Sequence, residues 1–179
     1  MTGLAACRAA PVTAEDGEPT RVPPVVIDTN LVLDLLVFGD PAVAPLRAAL
    51  RAHALRWLAT DAMRAELARV LGYPQIARWL VRERLDAGAV LADYDASIHR
   101  VPAVRVPHSP CCDDPDDQHF VELAVAHRAV LLSKDGAVLA LSRRLRALDV
   151  AVACNWAPAL TGQSFSAIES ISFSKETQP

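Results

Sequence analysis

A short run of β-branched apolar residues, Val25-Val26-Ile27, ends abruptly at the acid Asp28. Such a run is typical of a strand inside a parallel sheet, because helices cover both faces of that kind of sheet. Similar short runs at 56–59, 129–132 and 150–153 alternate along the chain with stretches of helical periodicity. This alternation predicts an α/β fold, specifically a three-layer α/β/α sandwich around a central, mostly parallel sheet.

Local signals add detail to this prediction. The segment 101–106 has strand composition but contains Pro102, which has no amide hydrogen to donate, so we expect a strand near an edge of the sheet. Thr60 is a suitable N-cap for a helix that stops at Gly72. Further helices are predicted over 75–87 and 89–98, and another begins at Pro115, with Asp114 as its N-cap.

The chain is predicted to fold as one domain over residues 23–160, with tails at 1–22 and 161–179, where no periodicity is found. Its 179 residues, 52% of them hydrophobic, suffice for one core. No apolar stretch approaches the roughly 18 residues that a membrane span requires, and the first residues lack the features of a signal peptide. We therefore expect a cytoplasmic protein with no membrane partner.

Four acids are predicted to meet at one end of the sheet. Asp28 and Asp135 follow strands, Asp117 lies at the start of a helix, and Glu66 is near the core-facing stripe of its helix. In open α/β sheets, ligand sites form outside the carboxyl ends of the strands. Each acid alone also fits a structural role, as a helix cap, a turn residue or a solvated helix charge. Their joint placement favours a site.

Convergent carboxylates repel one another unless they are protonated or bridged by cations. Ligand sets made only of oxygen favour Mg²⁺ or Mn²⁺. The net charge of -3 argues against simple electrostatic binding of nucleic acid, so phosphate chemistry here would need metal ions. The pattern predicts metal-dependent hydrolysis of phosphodiester bonds.

Four segments, in order, carry a resemblance to a known family: Val25-Val26-Ile27-Asp28-Thr29-Asn30, Arg64-Ala65-Glu66-Leu67, Asp114-Pro115-Asp116-Asp117-Gln118-His119-Phe120 and Leu131-Leu132-Ser133-Lys134-Asp135. Together they resemble the PIN-domain ribonucleases over roughly residues 24 to 160. The branch they resemble most contains toxin components of bacterial toxin–antitoxin pairs.

The resemblance implies a doubly wound α/β/α sandwich that cleaves single-stranded RNA with Mg²⁺ or Mn²⁺. It also implies an antitoxin protein as a partner, and we expect that the chain could form a homodimer. The implied metal-binding and catalytic acids are Asp28, Glu66, Asp117 and Asp135, and the implied polar supports are Asn30 and Ser133. Asp114, the predicted N-cap of the helix, is a further supporting residue.

The chain departs from the family pattern in two places. Ser133-Lys134-Asp135 stands where the family commonly has Thr-Gly-Asp, and Ala137 stands where a second Asp is often found. Ala137 could weaken a second metal position. Lys134 could contact a substrate phosphate or face solvent, and the same two interpretations apply to Arg47 and Arg51, which are spaced to share a helix face.

Three alternatives follow from other features. His108, Cys111, Cys112 and His119 suggest zinc, but their spacing matches no paired structural zinc pattern. Haloacid-dehalogenase-like phosphatases also begin with an Asp after the first strand, although they require an acid where this chain has Asn30. The chain could also be a catalytically weakened PIN-like binding module.

Association with a partner is a separate prediction. The apolar surface predicted for it lies around Trp57, Trp79 and Leu80.

Overall fold

The computed structural model describes residues 22–157, so the predicted tail at 161–179 and nearly all of the one at 1–22 lie outside the described residues. Its sheet has five strands in the order β3-β2-β1-β4-β5, and every neighbouring pair is parallel. The prediction of an α/β fold around a parallel sheet is confirmed. The strands are β1 Pro24–Ile27, β2 Arg56–Ala59, β3 His99–Arg100, β4 Val130–Leu132 and β5 Val152–Ala153.

Helices connect these strands and flank the sheet. The helix α1 continues directly into a π-helical turn over Asp34–Phe38, and single 3-10 turns at Pro41–Val43 and Pro115–Asp117 precede α2 and α6. The α-helices are α1 Thr29–Leu33, α2 Ala44–Arg51, α3 Asp61–Leu71, α4 Pro74–Glu83, α5 Ala87–Ser97, α6 Gln118–His127, α7 Gly136–Ala140 and α8 Ser142–Arg146.

The position of β1 explains its apolar sequence. It lies in the middle of the sheet, where Val25 pairs with Trp57 of β2 on one side and with Val130 of β4 on the other. Val25 and Val26 are fully buried. From β1 the chain moves outward to β2 and β3, then returns to β4 on the opposite side of β1. The strand order therefore reverses between β1 and β4, which is where open α/β sheets form their ligand sites.

The predicted strand at 101–106 is wrong. The strand at this edge of the sheet is β3, which lies just before that segment and pairs with β2. The backbone N–H of Val101 still donates to the carbonyl of Ala59 at 2.9 Å. Because Pro102 has no N–H, the ladder ends there.

Two helix boundaries also differ from the prediction. The helix α4 ends at Glu83 instead of residue 87, because Arg84 adopts a left-handed conformation with φ 56°. The helix α5 begins at Ala87, since the side chain of Asp86 accepts a hydrogen bond from the N–H of Ala89 and caps it. Thr60 caps α3 as predicted, accepting a bond from the N–H of Met63.

Two of the three residues named for the association surface are buried and therefore wrong as surface residues, whereas association itself stays a prediction. Trp57 is 2% exposed and Leu80 is 5% exposed. Trp79 is half-buried and packs edge-on against Phe38, with ring centroids 5.1 Å apart. Between residues 22 and 157, no helix has the length and apolar character needed to cross a bilayer.

Candidate active site

Asp28 is held at the point where β1 ends. Its backbone N–H donates to the carbonyl of Leu132 at 2.9 Å, so the ladder between β1 and β4 extends to the acid itself. Its carboxylate also caps α1, accepting from the N–H of Asn30 at 3.4 Å. Asp28 is 2% exposed, and this burial raises its pKa, although hydrogen bonds from Ser133 and Asn30 oppose the rise.

Ser133 links the ends of the two central strands. Its buried hydroxyl donates to Oδ2 of Asp28 at 2.7 Å and accepts from the backbone N–H of Asp135 at 3.0 Å. Asp135 in turn caps α7, accepting from the N–H of Ala137 at 2.7 Å. One hydroxyl thus fixes both the carboxylate of Asp28 and the backbone that carries Asp135.

Glu66 comes from the second turn of α3 and is held by two side chains. The hydroxyl of Thr29 donates to its Oε1 at 2.8 Å. Nε2 of His119 lies 3.3 Å from its Oε2, within ion-pair range but off the line of a hydrogen bond. Burial acts to raise the pKa of Glu66, but the His119 imidazole and the Thr29 hydroxyl outweigh it, and the net shift is downward.

Asp117 precedes α6, at the end of the 3-10 turn that Asp114 caps by accepting from the N–H of Asp116. Its side chain is half-buried. Burial raises the pKa of Asp117 to about 7, with further contributions from the charges of Asp28, Asp135, Asp114 and Glu66. Residues far apart in sequence therefore form one electrostatic cluster, which we call the acid cluster: Asp28, Glu66, Asp117 and Asp135.

The side chains of Asn30 and Lys134, two further predicted site residues, make no hydrogen bond to the acid cluster in the described structure. Asn30 is exposed, and it contacts Asp28 through its backbone N–H. Nζ of Lys134 forms ion pairs with Asp34 at 2.5 Å and with Asp40 at 3.3 Å, so this cation is shared between two carboxylates. Its role in substrate binding stays a prediction.

Arg47 and Arg51 of α2 line a cavity together with His53 and Leu55, just before the amino end of β2. The acid cluster, in contrast, lies at the carboxyl ends of the strands. Arg47 also donates to the carbonyl of Leu35 at 3.0 Å. A role for these two residues in holding RNA stays a prediction, at a place separate from the acids.

The sequence interpretation missed the contacts of three residues. Thr29 and His119 hold Glu66, and Asp34 pairs with Lys134. The position of Thr29 directly after the first acid was the available signal. For His119 the available signal is its position two residues after Asp117 in the same short motif, although its chemistry also suggests a zinc ligand.

The donors of the acid cluster suit a hard divalent cation, because all of them are carboxylate oxygens. Burial raises the pKa of both Asp28 and Asp117, and the charges of neighbouring acids push both values further in the same direction. Among residues 22–157, however, no three His, Cys, Asp or Glu side chains are grouped closely enough to hold a metal ion as they stand. A bound cation would therefore have to draw these carboxylates closer together.

The similarity of this chain to known proteins is found at the level of a family. None of the curated proteins searched matches the chain. A family model described as the PIN domain matches residues 24–136, a range that includes the whole acid cluster. That range is well over half of the 179 residues. Proteins of this family generally are nucleases that depend on divalent metal ions. The chain therefore belongs to the PIN-domain family.

Proposed function

We propose that this protein is a metal-dependent endoribonuclease that hydrolyses phosphodiester bonds in single-stranded RNA, with Mg²⁺ or Mn²⁺ as the cofactor. The observation that carries the proposal is the acid cluster at the reversal of strand order. Burial raises the pKa of Asp117 to about 7, and the charges of the neighbouring carboxylates contribute to the same shift. Such an excess of negative charge is expected where cations and substrate phosphate meet.

The four carboxylates of the acid cluster would hold the cation. When bound, a divalent ion would activate an attacking water and stabilise charge on the leaving oxygen. Ser133 keeps the carboxylate of Asp28 in place, and Thr29 does the same for Glu66. Asp117 gives up its proton when positive charge arrives, because its pKa is raised mainly by burial and by its acidic neighbours.

The biological role we propose is that of the toxin of a toxin–antitoxin pair, acting in the cytoplasm and able to form a homodimer. The resemblance of its motifs to that branch of the family supports this role. Expression of the native chain in bacterial cells should arrest growth, and Asp28→Asn should relieve the arrest. Arrest of equal strength by both proteins would contradict the toxin role.

A second candidate function is a PIN-like binding module with weakened catalysis. Two observations favour it: Ala137 stands where the family often has a second Asp, and the described residues contain no ready-made metal-binding group. A module of this kind would bind RNA without cleaving it.

The test compares purified native protein, Asp28→Asn and Asp116→Asn on single-stranded RNA of mixed sequence. Asp116 is exposed and is not among the acids that raise the pKa of Asp117, so Asp116→Asn controls for loss of one acidic charge. We expect cleavage by the native protein and the control with Mn²⁺ or Mg²⁺, and none with chelator or with Asp28→Asn. RNA binding without cleavage would support the binding module instead. Turnover of a small phosphomonoester in place of RNA would contradict both.

A further inference from the structure

A concave region adjoins the acid cluster, and we call it the flank cavity. It has a volume of about 490 Å³, within the range of pockets that hold small ligands. The residues that line it and carry the argument are Arg105, Ser109, Cys111, Gln118, His119 and Glu122. His119 belongs to both places, because its ring lines the cavity while its Nε2 lies 3.3 Å from Glu66. A group in the flank cavity would therefore sit beside any phosphate held at the acids.

One wall of the flank cavity is fixed before any ligand arrives. The side-chain oxygen of Gln118 accepts from the N–H of Cys112 at 2.7 Å. The amide nitrogen of the same side chain donates to the hydroxyl of Ser109 at 3.1 Å and to the carbonyl of Pro110 at 3.3 Å. These bonds tie the loop before Asp114 to the first residue of α6. A wall that is already ordered loses little entropy on binding.

The flank cavity combines a flat ring with a cation. The ring of His119 packs on the buried ring of Phe120, with centroids 4.1 Å apart and planes tilted by 35°. Bases of single-stranded RNA bind proteins by stacking on such rings and on guanidinium groups. The exposed side chain of Arg105 lines the same cavity and can contact a base face or a phosphate.

The carboxylate of Glu122 places a hydrogen-bond acceptor in the flank cavity, and an acceptor can distinguish between bases. It lies one helical turn beyond Gln118 and His119 on α6, so it shares their face. An ionised carboxylate only accepts hydrogen bonds, through two oxygens. Among the RNA bases, guanine offers two adjacent donors on its pairing edge, N1–H and the N2 amino group, whereas uracil offers a single N–H there.

We propose that the flank cavity binds a nucleobase next to the scissile phosphate and that Glu122 makes guanine the preferred base. This inference rests on the proposed cleavage of single-stranded RNA. It adds a determinant of cleavage position, since base recognition beside the acid cluster fixes which phosphate is presented to the metal.

The test measures binding separately from cleavage. Fluorescent oligonucleotides of uridine that carry one central guanosine, adenosine, cytidine or uridine are titrated with Asp28→Asn protein, and anisotropy gives each Kd. A good bidentate contact to a base corresponds to about tenfold in Kd. We therefore expect about tenfold tighter binding of the guanosine oligonucleotide. Adding Glu122→Gln should remove this preference, while adding Glu83→Gln, which removes an exposed acid on α4, should keep it.

Cleavage by the chain with Asp28 intact is mapped on the same oligonucleotides in Mn²⁺. Cleavage next to guanosine, together with its selective binding, supports both proposals. Metal-dependent cleavage with equal binding of all four oligonucleotides overturns the base pocket and leaves the nuclease proposal standing. Guanosine-selective binding without cleavage supports the pocket and contradicts the nuclease proposal. Absence of binding to every oligonucleotide overturns the pocket.

Discussion

Replacing Asp117 by Asn should make the metal-free protein more stable above neutral pH. Folding raises the pKa of Asp117 from 3.8 to about 7, so between these values the unfolded chain releases a proton that the folded protein keeps. Stability therefore falls as pH rises through this window, and the full penalty applies above pH 7. At about 1.4 kcal/mol per pKa unit, ionised Asp117 can destabilise the folded protein by at most about 4 kcal/mol. Because the side chain is only half-buried, solvent screens its charge, and we expect Asp117→Asn to raise the free energy of unfolding by about 1–2 kcal/mol.

The assay is thermal unfolding of both proteins in chelator at pH 8 and pH 4. At about 3 °C per kcal/mol, Asp117→Asn should raise Tm by about 3–6 °C at pH 8. The gain should be much smaller at pH 4, where the folded protein keeps the proton and the unfolded chain keeps much of it. Asp116→Asn, the exposed neighbour, should change Tm little at either pH. An Asp117→Asn protein that is less stable than the native one at pH 8 would refute the electrostatic reasoning.

Three further predictions concern the residues around the acid cluster. Ser133→Ala removes the buried hydrogen-bond donor to Asp28, so it should slow RNA cleavage and lower the free energy of unfolding by about 1–3 kcal/mol in a urea titration. Unchanged cleavage and unchanged stability would contradict the role of Ser133 in linking the two strand ends. Thr29→Val should slow cleavage by removing the hydrogen bond to Glu66, whereas Thr29→Ser should largely retain the rate; equal rates for the two variants would remove Thr29 from the site. Lys134→Met breaks exposed ion pairs and should lower the free energy of unfolding, measured in urea, by less than about 1 kcal/mol. A larger decrease would mean that the ion pairs with Asp34 and Asp40 stabilise the fold.

The central part of the fold was predictable because the apolar composition of β1 indicates a buried strand. Val25-Val26-Ile27 is apolar and β-branched throughout, as expected of a central parallel strand whose two faces are covered by helices. The edge was harder to predict. The edge strand β3 is two residues long and exposed, so its own residues carry no apolar signal, and its pairing with β2 decides its position.

The positions of the acids relative to strands and helices can be predicted from the sequence, but the contacts that these acids make cannot. Asp28 could be placed at the end of a strand from its neighbours in sequence. The bond between Thr29 and Glu66, in contrast, joins residues 37 positions apart, and the contact of His119 with Glu66 depends on how α3 and α6 approach each other. The pKa of Asp117 is likewise a property of the assembled cluster, since its main causes are burial and the charges of distant residues.

Calorimetric titration with Mn²⁺ tests the central claim, that the acid cluster holds a divalent cation. The native protein and Asp116→Asn should bind Mn²⁺ with similar affinity. Asp28→Asn and Asp117→Asn should each bind it at least tenfold more weakly, because each loses one carboxylate ligand. Binding to the native protein above pH 7 should release little or no proton, and below pH 7 it should release one from Asp117. Equal affinity for Mn²⁺ in all four proteins would contradict the account.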